Sequence, residues 1–331
     1  MTEWETQALR PSKLVPLAAV LLALLAAPFA ARGADRQVTD DTGRVVEIPV
    51  EPKRVVVMHE PLLGLPLIDL GLEPVGSYGR ADDGSPLSAV DFIDTVMGQS
   101  GAKPKGFGPF GRIDLERLRA LDPDLIIGTE RDVDKAEQLS TIAPTYLQTV
   151  STGRVHGFGV EKDLADLVGR QDAYAERLKT YETRLAEVAK RVPGGADKIY
   201  LAIITNDQLN LVGDMSGAIQ AIEDLGFRRA DLSGTEAGAG PGTLFSVPLS
   251  PETLGMADPD LLVVMNSYAV ADRSPQATQA RLDTIMPGWR SFLKPAREGR
   301  VLYLDSAKVA TPTIASALHT LDAIEAFEKG R

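Results

Sequence analysis

The sequence predicts an α/β fold of two lobes joined by one long helix, and three observations carry that prediction. Short apolar runs alternate with helical patterns along two separate stretches of chain, one amphipathic helix lies between the stretches, and a twelve-residue segment of the first recurs in the second. Strands alternating with helices imply parallel sheets with helices on their faces, so each lobe is expected to be Rossmann-like. Two similar lobes leave a cleft between them, the usual place for a ligand.

The elements follow in order. Residues 1–13 are polar and carry Arg10 and Lys13, residues 14–29 are apolar, and Ala31 and Gly33 fill the small-residue positions of an exit. That pattern is a secretory signal peptide cleaved after Gly33. The apolar run is interrupted by Pro16 and Pro28 and is shorter than the ~20 residues a spanning helix needs. No cysteine occurs anywhere in the 331 residues, so the exported chain is expected to be free of a lipid anchor, which suits a periplasm.

An opening hairpin is expected over 35–53 with its turn at Asp41-Thr42-Gly43. Strands are expected at 54–58, 74–78, 124–129 and 145–150, and a second set at 198–205, 210–213, 261–265 and 301–305. Between the sets, Tyr174, Leu178, Tyr181, Leu185 and Val188 recur at three- and four-residue steps, the mark of an amphipathic helix. It stops at Pro193-Gly194-Gly195, and Gly169 separates it from a shorter helix over 162–168. The expected organisation is therefore a signal peptide at 1–33, an N-terminal lobe at 34–160, a connecting helix at 161–193 and a C-terminal lobe at 194–331.

The recurring segment runs from Glu116 through Asp122-Pro123-Asp124 to Ile127, and from Glu252 through Asp258-Pro259-Asp260 to Val263, with six of twelve positions identical. Asp69-Leu70-Gly71 and Asp224-Leu225-Gly226 form a weaker echo. Asp-Pro-Asp is ordinary turn chemistry, but the shared spacing of glutamate, turn and strand favours a duplication.

Composition and motifs remove most function classes. Lys and Arg number 35 against 46 Asp and Glu, a net charge of −11, which disfavours nucleic acid and anionic membranes as partners. The missing cysteines exclude disulfides, thiolate metal sites and cysteine nucleophiles, and His59, His156 and His319 are too few and scattered for a histidine-rich metal site. Gly106-Phe107-Gly108-Pro109-Phe110-Gly111 satisfies the dinucleotide pattern, yet no buried strand precedes it, and Pro109 and Phe110 stand where close backbone approach is needed. Ser100 and Ser216 lack the nucleophile-elbow context, and no phosphate-binding loop or HExxH sequence occurs. No catalytic constellation emerges; an exported α/β enzyme is the alternative outside a binding role.

Glu116 and Glu252 each stand in the first turn of an expected helix, where a carboxylate is worth ~0.3–1 kcal/mol. As equivalent positions of two lobes, they also form a symmetric pair able to seat the protein on basic sockets of a two-fold partner.

The stretches DDTGRVVEIPVEPKRVVVM, LIDLGLEPVGSYG, GPFGRIDLERLRALDPDLIIGT, LSTIAPTYL, SPETLGMADPDLLVV and PGWRSFLKPAREGRVLYLD, with the long helix from Tyr174, occur in one order over nearly the whole chain beyond the leader. In these the chain resembles the periplasmic substrate-binding proteins of ABC importers for iron-siderophore and cobalamin-like ligands (the helical-backbone, class III family). The resemblance implies two α/β lobes bridged by one helix, a monomer without cofactor, and a cleft ligand. It also implies that Glu116 and Glu252 dock an inner-membrane permease dimer with its ATPase.

The expected ligand is a ferric siderophore, which brings its own iron coordination, so no direct metal ligand is expected of the protein. Aromatic walls, and cations to meet an anionic chelate, are expected instead. The candidates are His59, Tyr78, Arg80, Phe110 and Arg112 from the first lobe, and Asn206, Tyr268, Arg273 and Lys308 from the second. The competing roles are a solvated loop charge for Arg80 and Arg273, a strand cap for His59, and packing for Tyr78 and Trp289. Haem stays open through Tyr78, His59 and Tyr268 as axial ligands; cobalamin, which favours more aromatic side chains, meets a chain only 5% aromatic.

Overall fold

The structure, a computed structural model, describes residues 1–2, 34–98, 103–109, 111–151, 153–192, 198–232 and 246–330. The expected signal peptide lies outside the described residues apart from its first two positions. Asp35–Arg331 forms one compact unit. It opens with the antiparallel hairpin β1 (Asp35–Thr39) and β2 (Val45–Pro49). The Asp40 carboxylate accepts the backbone N–H groups of Thr42 and Arg44 at 3.0 Å each, and Gly43 supplies the left-handed residue of the turn at φ +88°.

The first sheet comprises β3 (Val55–Val57), β4 (Gly76–Ser77), β5 (Lys105–Gly106), β6 (Leu125–Thr129) and β7 (Thr145–Gln148), in the order β5-β4-β3-β6-β7 with every pair parallel. Side chains alternate across it. Val55, Val57, Leu125 and Ile127 enter one core, while Val56 and Ile126 enter the core on the other face. Both faces are buried, so the strands read in sequence as unbroken apolar runs.

The second sheet comprises β8 (Ile199–Thr205), β9 (Leu209–Val212), β10 (Arg228–Arg229), β11 (Ser246–Pro248), β12 (Leu261–Asn266) and β13 (Val301–Leu304). Its order is β11-β9-β8-β12-β13, with β10 on β8. Ala202, Ile204, Val263 and Leu302 face one core; Leu201, Ile203, Leu262 and Val264 face the other. The sheet corrects the expectation of parallel pairing throughout, because β9 runs antiparallel to β8 and β11 antiparallel to β9. Only Asn206, Asp207 and Gln208 separate β8 from β9, and a parallel crossover needs a dozen residues or more. The eight strands expected from sequence all occur, with ends within two residues of those read from it; β5, β10 and β11 are extra and short.

The duplicated segment has the same build in both halves. Helix Leu115–Ala120 leads into β6, and helix Pro251–Ala257 leads into β12. The first aspartate of each turn is left-handed, Asp122 at φ 46° and Asp258 at φ 31°. The second aspartate clamps the start of the neighbouring strand: Asp124 accepts the N–H groups of Lys53 and Arg54 at 2.7 and 2.9 Å, and Asp260 accepts that of Ile199 at 2.9 Å.

Between the sheets in sequence stand two helices, Gly159–Val168 and Gln171–Ala189, parted at Gly169 with φ +69°. Val160, Leu164 and Leu167 of the shorter helix pack in the core with Val55 and Leu125. Tyr181 and Val188 of the longer one pack with Tyr200 and Val263. The longer helix is tied to both halves by the aspartates of the weaker echo. Arg177 pairs with Asp69 at 2.6 Å, and one turn later the Tyr181 hydroxyl donates to Asp224 at 2.7 Å.

The halves also meet at the start of helix Ile314–Lys329, whose first N–H groups have no intrahelical acceptor. The N–H of Ile314 donates to Glu161 at 2.7 Å, that of Ala315 to Asp69 at 2.9 Å, and that of Ser316 to Thr313 Oγ1 at 3.0 Å. Leu65, Ile68, Phe92 and Val96 pack beside this seam against Ala307 and Ala315. His319 Nε2 bonds the Val96 carbonyl at 2.8 Å, a structural role.

Candidate ligand-binding cleft

A cleft opens where parallel strands end, the position ligands take in open α/β sheets. His59 and Glu60 follow β3, and Tyr78 and Gly79 follow β4. From the other half come Met265 and Tyr268 at the end of β12, with Ser306 and Thr311 after β13. It is partly open, about 960 Å³ of empty space lying between its walls and in the solvent at its mouth. Its walls are mainly apolar, with Phe92, Ile204, Val212 and Met215 completing them.

Aromatic rings shape both walls. Tyr78 stacks on Phe107 with centroids 5.6 Å apart and planes at 11°, so the ring both packs the first half and lines the cleft. Burial pushes its phenol above the ordinary value. Phe92 and Tyr268 meet edge to face at 5.8 Å, an aromatic contact between the halves. His59 stands at the start of the turn Glu60–Gly64 and does not cap it through its side chain. Burial pushes its imidazole down to about 4, so it lines the cleft as a neutral ring at physiological pH.

The cations expected in the cleft are elsewhere. Arg80 is 1% exposed and all five of its N–H donors are used. Nε and Nη2 engage the two oxygens of Glu60, Nη2 and Nη1 engage Asp91 at 2.7 and 3.3 Å, and Nη1 donates to the Gly84 carbonyl at 2.6 Å. Its role is thus corrected from ligand contact to brace of the wall. Arg273 pairs with Asp305 at 3.2 Å, and Arg112 and Lys308 are exposed; none of these three lines the cleft. Asn206 is exposed in the β8–β9 turn, its carbonyl accepting from Arg281 at 3.3 Å, away from the lining. Phe110 lies outside the described residues. Of the candidates, His59, Tyr78 and Tyr268 are brought together.

Glu116 and Glu252 are exposed in the first turns of their helices. Asp114 caps the first by accepting from Glu116 and Arg117, and Ser250 caps the second by accepting from Thr253. Trp289 is 1% exposed and donates to Asp283 at 2.8 Å, a packing role. Gly106 and Gly108 leave no dinucleotide cradle. A Cβ on Gly106 would stand 1.7 Å from the Arg80 carbonyl oxygen, and one on Gly108 2.3 Å from that of Arg112. The approach these glycines permit is taken by the chain itself. Among the described residues, no group of three or more histidines or carboxylates is placed to hold a metal ion, and no helix is long and apolar enough to cross a membrane.

Sequence reasoning missed Phe92, Met215, Met265, Ser306 and Thr311. The available signal was position, since Met265 and Ser306 stand at the C-terminal ends of predicted strands.

Comparison with known proteins agrees with this architecture. A family profile described as "Periplasmic binding protein" matches residues 84–307. The chain is 25% identical over 306 residues to the putative ABC transporter substrate-binding lipoprotein YhfQ of Bacillus subtilis, covering 89% of this chain and 90% of that protein. It is 25% identical over 243 residues to the ferric-anguibactin-binding protein FatB of Vibrio anguillarum, covering 66% and 73%. The crystal structure of the petrobactin-binding protein YclQ from Bacillus subtilis superposes with a TM-score of 0.65 at 20% identity, over 89% of this chain and 99% of that one. With the family profile spanning most of both halves and the cleft between them, the chain belongs to the periplasmic binding protein family.

Proposed function

We propose that the chain is the solute-binding component of an ABC importer, taking a ferric siderophore into the cleft and presenting it to an inner-membrane permease dimer with its ATPase. The observation that carries this reading is the cleft itself. It is lined by Tyr78, Phe92 and Tyr268, while no described cluster could coordinate a bare ion, so a metal arriving already chelated is the form the walls suit. Two of the proteins it resembles are named for binding such chelates. The protein acts by binding alone, as a monomer, with no cofactor of its own. The leader at 1–33 directs export to the periplasm and is removed. YhfQ is named a lipoprotein, but this chain has no cysteine to carry a lipid, and it works unanchored.

Glu116 and Glu252 are the docking residues, one on each half, held on short capped helices that the duplication sets in equivalent places. Replacing both with alanine is expected to abolish import while leaving ligand affinity unchanged; an equal loss of affinity contradicts the docking role.

The test of the ligand is a fluorescence titration of the chain from residue 34 with ferric chelates and with their iron-free forms. Saturable quenching at one chelate per chain, lost without iron, is expected. Haem is the second reading, favoured because His59, Tyr78 and Tyr268 line one cleft. A shifted Soret band on haem addition, with no response to any ferric chelate, would replace the first reading with the second.

A further inference from the structure

The charge of the ligand is written in the walls of the cleft. Among the described residues, no lysine or arginine lines it. The internal stretches outside the described residues, 99–102, 110, 152, 193–197 and 233–245, contain no basic residue. The nearest buried cation, Arg80, is consumed by Glu60 and Asp91, which leaves one negative charge in excess beneath the wall. An anion entering such a site gives up water and finds no counter-charge, a cost that rises steeply with each added charge.

One wall group asks for a different partner. Ser306 is 1% exposed and lines the cleft, and its hydroxyl has no hydrogen-bond partner among the described residues. A buried hydroxyl left unpaired costs about 1–3 kcal/mol, and a ligand oxygen would relieve it. The other serine and threonine hydroxyls of the lining are engaged within the protein, Ser88 donating to the Val90 carbonyl at 2.8 Å. Ser216 donates to the Val309 carbonyl at 3.0 Å, and Thr311 bonds Ser316 at 2.6 Å.

Resting on the reading of the chain as an iron-chelate binder, we propose that its ligand carries no net negative charge. The class is an uncharged or cationic ferric chelate, such as a trihydroxamate, with an apolar outer surface and a neutral oxygen that accepts from Ser306 Oγ. The trianionic tris-catecholate class is excluded by the same walls.

The experiment is calorimetric titration with three ferric complexes: a cationic linear trihydroxamate, an uncharged cyclic trihydroxamate and a trianionic tris-catecholate, each at low and at high salt. The uncharged complex is expected to bind about 100-fold or more tightly than the trianion, with an affinity that changes less than about 3-fold with salt. Ser306→Ala is expected to weaken the uncharged complex by about 5- to 10-fold. Lys308→Ala, which removes the exposed cation near that segment, leaves the ranking as it was. A trianion that binds as tightly as the uncharged complex overturns the proposal, as does a ranking that depends on Lys308. Binding of none of the three overturns the chelate reading, and the proposal with it.

Discussion

Two charge clusters, one under the cleft wall and one at the seam between the halves, are built on opposite terms. Under the cleft wall, Arg80 is enclosed by Glu60 and Asp91, every guanidinium donor meeting an oxygen. At the seam between the halves, Asp69 pairs with Arg177 while Glu161 accepts from a backbone N–H, and both carboxylates lean on the first turn of helix Ile314–Lys329. One oxygen of Glu161 is buried with no partner among the described residues. The first cluster satisfies its charges by side-chain pairing. The second depends on backbone N–H groups and the partial positive charge of a helix start.

Proton affinities separate the two clusters in the same way. Burial pushes Asp91 up, but the hydrogen bonds and charge of Arg80 outweigh it and hold the carboxyl below its ordinary 3.8. Glu161 goes the other way, driven well above 4.5 by burial and then by the nearby charge of Asp69. Burial also raises Asp69, with Arg177 working against it. A depressed carboxyl adds stability that is present above 3.8 and lost as pH falls. A raised carboxyl binds more protons folded than unfolded above 4.5, so it draws stability down as pH rises. The wall is thus set for neutral pH, and the seam is strongest when its glutamate is protonated.

The largest expected effect comes from breaking the paired cluster. Arg80→Met leaves two buried carboxylates without their cation and is expected to cost about 3–5 kcal/mol in urea denaturation. Arg177→Met is a smaller insult, about 1–2 kcal/mol, because Arg177 is 30% exposed and Asp69 keeps the Ala315 N–H. Equal losses in the two variants would erase the contrast between pairing and helix-start support. The smallest effect at any single pH is that of Glu161→Gln, which keeps an oxygen for the Ile314 N–H and removes the titration. Between pH 5 and 8 the stability of the parent relative to the variant is expected to fall as pH rises, the opposing contribution of buried His59 being common to both. Parallel profiles would mean that Glu161 ionises without penalty.

Much of the scaffold was legible because its causes are local. Apolar runs bounded by turn residues gave the eight strands, Gly169 gave the helix break, and the repeated Asp-Pro-Asp marked two left-handed aspartates in equivalent places. The antiparallel β9 was misread as part of a parallel sheet, although its short connection to β8 forbids a parallel crossover. The cleft was less legible. Phe92, Met215 and Met265 are the residue types a core uses, and nothing in their spacing distinguishes a wall from an interior. Arg80 looked like a cation for the ligand because its partners stand 20 positions before and 11 after it, a separation that only the folded chain closes. Ser306 was marked only by its place after a predicted strand; its buried, unpaired hydroxyl is a property of the folded chain.

The central claim, that one chelate lodges between the halves, is tested most directly by blocking that space without disturbing the core. Ser88 is exposed and lines the cleft, so Ser88→Trp places a ring at its mouth. Titrated with the uncharged ferric trihydroxamate, the parent chain should bind one equivalent, and the variant should bind at least about tenfold more weakly, equivalent to about 1.4 kcal/mol. Equal affinity in the two proteins would put the ligand elsewhere and contradict the account.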